Sequence, residues 1–206
     1  MKDINDVISF LPCSENPLSA DVYVIKGAEY SYIVDVGSCD EAYNIVSSFD
    51  RKKIIITHFH DDHMKNLARI RVRDEDLYIG DHTRKVLEAP VYRELEDKKG
   101  TVVTEMVEIQ DGVNIKIYPV PNSHAKGSLL VTVNDEYLIL GDSYYCSAKG
   151  YNVSLLHDEI RLLKEISFDR VIMSHSEEIR GRDEVIAELE SYYDRREKNS
   201  PYIKVF

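Results

Sequence analysis

The segment Thr57-His58-Phe59-His60-Asp61-Asp62-His63 carries three of the seven histidines within six residues, with a carboxylate directly before the third. Neutral imidazole and carboxylate are the ligand types that hold zinc, manganese or iron. Such a stretch is either a metal-binding loop or a polar loop that happens to be rich in histidine. The reappearance of the same residue types downstream, at His124, Asp142 and His175, favours metal.

These groups can act together only if the fold brings them to one place. Lys53-Ile54-Ile55-Ile56, just upstream, is short, apolar and β-branched, as a buried strand is. The histidine segment is then a loop at a strand end, where a rigid scaffold presents reactive groups. The other three candidates also follow apolar strands: His124 after 113–119, Asp142 after 136–140 and His175 after 170–173. Strand ends on one rim can converge on a point. Further strands are predicted at 7–10, 21–26, 30–35 and 77–80, and hairpins at 101–108 with 113–119 and at 128–133 with 136–140. Helices are predicted at 39–49, 64–71, 154–166 with a Ser154 cap, and 182–196. The charged segment 82–98, broken by Pro90, reads as a lid or as a plain pair of surface helices. The expected fold is α/β: an αββα four-layer sandwich with two mixed β-sheets face to face, helices on both outer sides, and one domain over residues 1–206.

The pattern His-x-His-x-Asp-His, met by His58, His60, Asp62 and His63 and followed in order by His124, Asp142 and His175, resembles the metallo-β-lactamase-fold superfamily of metal hydrolases. The turn Asp35-Val36-Gly37-Ser38 also matches that family, and the likeness runs from about residue 20 to 180. The resemblance implies two divalent ions, zinc first and manganese or iron as alternatives. His58, His60 and His124 would hold the first, Asp62, His63 and His175 the second, and Asp142 would bridge them. Three neutral imidazoles leave an open position for water on the first ion. Asp62 and Asp142 are the expected catalytic carboxylates, with Asp62 moving the proton. Asp35, Thr57 and Ser174 are expected to orient the ligands by hydrogen bonds, and Tyr144 and Tyr145 to line the substrate pocket. His82 reads as a surface or capping residue and His157 as structural.

An aspartate at position 142 differs from the cysteine of one group of true β-lactamases. It points to the glyoxalase-II-like, lactonase-like and nuclease-like branches. The implied reaction is hydrolysis of a small ester, thioester, lactone or phosphodiester. The alternatives are a persulfide-dioxygenase-like oxidoreductase with one iron and a non-catalytic metal-binding sensor. The formal net charge of −11 disfavours long nucleic acid as a partner. No apolar run is long enough to span a membrane. Three widely spaced cysteines and no leader pattern indicate a cytoplasmic protein with reduced thiols. A small-molecule substrate and a monomer or homodimer complete the expectation.

Overall fold

Seven strands build the first sheet of the computed structural model, which describes residues 1–95 and 97–205. They are β1 (Lys2–Asp3), β2 (Ile8–Leu11), β3 (Val22–Lys26), β4 (Ser31–Val34), β5 (Lys52–Ile55), β6 (Leu77–Gly80) and β7 (Thr101–Val103), adjacent in that order. Pairing is antiparallel from β1 to β4 and parallel from β4 to β7. Parallel neighbours need crossovers. Helices α1 (Asp40–Ser47), α2 (Asp61–Met64) and α3 (Asp81–Leu87) lie within those crossovers. The second sheet has six strands: β8 (Val107–Gln110), β9 (Asn114–Val120), β10 (Ser128–Val133), β11 (Tyr137–Gly141), β12 (Arg170–Met173) and β13 (Ile179–Gly181). Only the β11–β12 pair is parallel, and α4 (Val153–Glu165) lies in its crossover. Helix α5 (Arg182–Asp194) follows β13.

Side-chain alternation makes the layers. In β3, Tyr23 and Ile25 enter the core between the sheets while Val22 and Val24 face the first outer layer. In β9, Ile115 and Ile117 meet Tyr23, Ile25 and Val34 across the sandwich. A second core joins the outer face of the first sheet to Ala42, Val46, Met64 and Leu87. A third joins Leu130, Leu138 and Val171 to Leu156, Leu163, Val185 and Leu189 of α4 and α5. The fold is therefore the four-layer αββα sandwich. No helix of the described residues is long and apolar enough to cross a membrane.

Several expectations are corrected. The helix placed after His63 begins at Asp61, so Asp62 and His63 lie inside it and His60 is its N-cap residue. The stretch 101–108 is not one hairpin strand: β7 closes the edge of the first sheet and β8 opens the second. The cap of α4 is Asn152, whose side chain accepts from the Ser154 and Leu155 amides, because the helix starts one residue earlier. The segment 82–98 becomes α3 and a 3₁₀ stretch, Pro90–Leu95, with position 96 outside the described residues. Leu87 and Leu95 are buried in the outer core, which anchors this segment as part of the helical layer.

One buried group works against the fold. Glu159 on α4 is fully buried, and both carboxyl oxygens lack a hydrogen-bond partner among the described residues. Burial pushes its carboxyl well above the usual range. The unfolded chain loses this proton near pH ~4.3 while the folded chain keeps it. Stability therefore falls as pH rises above that value. Glu159→Gln should remove this slope, so its urea midpoint should exceed the parent's at pH 8 and converge with it toward pH 4.

Candidate metal centre

β5 leads into the histidine segment, and its neighbour β4 is followed directly by Asp35, a residue with left-handed backbone (φ 61°). That turn aims the buried Asp35 carboxylate back at the loop. Oδ1 accepts the Thr57 amide at 2.8 Å. Oδ2 accepts the Thr57 hydroxyl at 2.7 Å and His63 Nδ1–H at 2.7 Å. The last bond fixes the His63 tautomer and turns Nε2 inward. The His63 carbonyl accepts from the Val36 and Gly37 amides, and the Asp62 carbonyl from Ala20, so the short helix α2 is tied down on both sides.

Seven side chains converge in two groups, His58, His60, His124 and Asp142, then Asp62, His63 and His175. Within each group the ligand-type atoms lie within 4.8 Å of one another. In the first group, His60 Nδ1 lies 2.9 Å from His58 Nε2 and 3.1 Å from His124 Nε2. His124 Nε2 is 3.2 Å from Asp142 Oδ2. In the second, Asp62 Oδ2 is 3.2 Å from His175 Nε2 and 3.6 Å from His63 Nε2. Asp142 turns its other oxygen, Oδ1, to this group, 3.4 Å from His63 Nε2 and 3.7 Å from His175 Nε2. One carboxylate thus faces both groups, one oxygen to each.

The donor set fits metal. A tetrahedral ion with bonds of about 2.0–2.1 Å has ligand–ligand edges of about 3.3 Å, and the spacings here cluster around that value. His60 Nδ1 has one proton or one lone pair to offer, yet two imidazole nitrogens press against it. His63 Nε2 and Asp142 Oδ1 are buried without a hydrogen-bond partner among the described residues. Unsatisfied buried polar atoms cost about 1–3 kcal/mol each, so their meeting at one point calls for a cation.

The electrostatics prepare the same state. Burial, reinforced by His63, holds His58 well below the usual imidazole range, and burial beside His124 lowers His60. Both are neutral and able to ligate. Burial opposes charge on Asp142, but His124 and His63 hold its carboxylate well below the usual range. Burial also opposes charge on Asp62, and the His175 bond outweighs it. His63 behaves in the opposite sense. Burial disfavours its charge, but Asp35 and Asp142 on either side push its pKa up to about 10. The Asp62 bond raises His175 as well. In the metal-free protein the His63 imidazolium supplies positive charge to the second group, and metal must displace its proton. Metal uptake at pH 7 should therefore release protons, and apparent affinity should rise from pH 6 to pH 9. Calorimetry in two buffers of different ionisation enthalpy measures this.

The remaining sequence expectations divide. Asp35 and Thr57 contact the ligands as described. The Ser174 hydroxyl does not, having no hydrogen-bond partner among the described residues. Its backbone serves instead, with its amide on the Gly141 carbonyl and its own carbonyl accepting from Tyr145 at 2.9 Å. Tyr145 stands edge-on to His124. The Tyr144 hydroxyl is turned away, accepting from Arg180 at 3.2 Å against α5. His82 is not a capping residue: it packs on Phe59 at 5.2 Å, beside the site.

Two positioning residues escaped the sequence reading. Asp21, fully buried, accepts the His175 amide at 2.7 Å and the Cys13 amide at 3.0 Å. It holds His175 in its left-handed conformation (φ 60°). Asn122 accepts the His124 and Ala125 amides at 2.9 and 3.0 Å. An Asn two residues before a ligand is a signal for such a turn. Asp21 gave none beyond being a lone acid in an apolar run. Gly141, just before Asp142, allows a close approach: a Cβ there would lie 3.1 Å from Thr57, at φ +58°.

The family model described as the metallo-beta-lactamase superfamily matches residues 16–175. Curated protein sequences give no match. A flavoprotein from Thermotoga maritima superposes with a TM-score of 0.69 at 14% identity, over 93% of this chain and 62% of its own. A variant of the flavo di-iron protein from the same organism gives 0.64 at 16%, over 87% of this chain and 54% of its own. A metallo-beta-lactamase from Pontibacter korlensis gives 0.67 at 14%, over 95% of this chain and 98% of its own. This chain thus spans about three fifths of the flavoprotein and about half of the flavo di-iron protein. At these identities the structural likeness speaks to the fold.

Proposed function

Because the chain belongs to the metallo-β-lactamase superfamily, we propose that it is a hydrolase that uses two divalent metal ions, zinc first, to cleave a small ester, thioester, lactone or phosphodiester. The observation that carries this reading is the single carboxylate, Asp142, facing two groups of ligands with one oxygen each. Five imidazoles, two carboxylates and no thiolate suit zinc. When bound, such ions polarise a carbonyl or phosphoryl oxygen and lower the pKa of water toward ~7.

The protein's own residues do the rest. His58, His60 and His124 turn ring nitrogens toward one point. Asp62, half-buried and ionised, turns Oδ2 to the second ligand group, and its carboxylate can take a proton from attacking water and pass it to the leaving group. Asp35 locks His63 so that the geometry needs no reorganisation during the reaction. Tyr145, bonded to the Ser174 carbonyl, braces the wall between the His124 and His175 loops. The three unpaired cysteines are in keeping with a cytoplasmic setting.

Metal-loaded protein should hydrolyse at least one of a panel of thioesters, lactones and phosphodiesters. His60→Ala should lose both that turnover and bound metal while keeping its circular dichroism spectrum; unchanged turnover would overturn the assignment. A second reading, iron-based redox chemistry including the one-iron persulfide-dioxygenase type, draws on the flavo di-iron neighbour. Oxygen uptake and iron content separate the two.

A further inference from the structure

Beside the first ligand group lies a cavity of about 460 Å³ whose wall includes Phe59, His82, His124, Lys126, Leu155 and Tyr202. The chain carries 37 acidic residues and a net charge of −11, yet none of the residues around this cavity is acidic. The remainder are Asn122, Ser123, Ala125, Ser147 and Asn152. Asp81, next to His82 in sequence and outside the cavity wall, has its Oδ2 engaged by Lys85 at 3.2 Å, while its Oδ1 lies at the Gly127 backbone, 2.7 Å from where a Cβ there would stand. Lys126 is exposed and makes no ion pair among the described residues. The Ser123 hydroxyl accepts the Asn152 amide at 2.8 Å, which leaves its own proton to give. Phe59 and Leu155 supply an apolar middle.

His82 and Lys126 come together through backbone packing. A Cβ on Gly80 would lie 1.7 Å from the Gly127 carbonyl, and one on Gly127 would lie 2.6 Å from the His82 amide. Only glycine at both positions lets the start of α3 lie on the loop that follows His124. That contact sets Lys126 and His82 on one side of the cavity, with His124 in the same wall.

We propose that the substrate carries a free carboxylate a short apolar stretch away from the bond to be cleaved, and that Lys126, with the His82 ring beside it, receives it. One ammonium matches one carboxylate; a phosphate dianion would leave a charge uncompensated. The inference rests on the hydrolase reading for the position of the cleaved bond, but its binding test does not. Lys126 and His82 act here as specificity residues, apart from the seven ligands.

Monomethyl glutarate and dimethyl glutarate are the probes, titrated into full-length metal-free protein and followed by ¹H–¹⁵N amide shifts. The monoacid should bind about threefold to fivefold tighter than the diester, with shifts at Phe59, Lys126 and Tyr202. K126E should invert that preference and K126M abolish it, while the exposed position leaves folding intact. Equal affinity of the two probes for the parent, or the same preference in K126E, would overturn the proposal. Failure of the zinc-loaded parent to hydrolyse any ester or thioester would count against the hydrolase reading alone, because the binding preference is read without metal.

Discussion

Asp142→Asn should reduce metal content from about two ions per chain to at most one and lower turnover by about three orders of magnitude, because charge stabilisation by the metals is worth several kcal/mol. The reason is geometric. Among the seven side chains Asp142 faces both ligand groups, with Oδ2 near His124 and Oδ1 near His63 and His175. Asparagine keeps the size but offers one neutral oxygen, so one group loses its shared ligand. The other six side chains keep their own supports, Asp35, Asp21 and Asn122 among them, so the fold should survive. Elemental analysis and turnover on one preparation read both effects. Two ions retained at full occupancy would show that the carboxylate does not bridge.

The second large effect is expected at Asp35, which touches no substrate. Its carboxylate receives three hydrogen bonds inside the protein, two from Thr57 and one from His63. Asp35→Asn removes the charge that holds His63 protonated on Nδ1 and sets an amide N–H against one donor. Breaking a buried pair by removing one partner costs about 3–5 kcal/mol, and losing a ligand's supporting hydrogen bond costs about tenfold to a hundredfold in metal affinity. The pH dependence has a definite sign. In the metal-free protein His63 is raised to about 10, so its pairing stabilises the fold fully below the unfolded histidine pKa of ~6.5 and is lost as pH rises through about 10. The deficit of Asp35→Asn should therefore be largest in mildly acidic solution and shrink toward pH 10. Urea denaturation across that range measures it. A deficit independent of pH would mean that packing, rather than the ion pair, holds this turn.

How much of this was legible in the sequence depends on how local each signal is. The ligands were legible because metal chemistry restricts residue type and because each sits at the end of an apolar strand. The sandwich was legible from alternation such as Val113, Ile115 and Ile117, now buried between the sheets. The division of 101–108 between two sheets was not, since both halves are strand-like and only tertiary pairing separates them. The helix start at Asp61 was hidden because Asp62 and His63 in its only turn also belong to the ligand groups, and no side chain caps it. Asp21 supports His175 from 154 residues away, a contact that no local pattern reports. Tyr144 and Tyr145 are adjacent in sequence yet face different layers, one against Arg180 and the other against Ser174. His82 looked like a helix start because the sequence does not show that Gly80 and Gly127 bring α3 against the site.

The measurement that bears most directly on the central claim is the metal content of the full chain, by elemental mass spectrometry, after expression without added metal and purification without chelator. The account predicts about two zinc or manganese ions per chain. One iron per chain would contradict the paired centre and favour oxygen chemistry. No bound metal, even after reconstitution, would contradict the reading of these seven side chains as ligands.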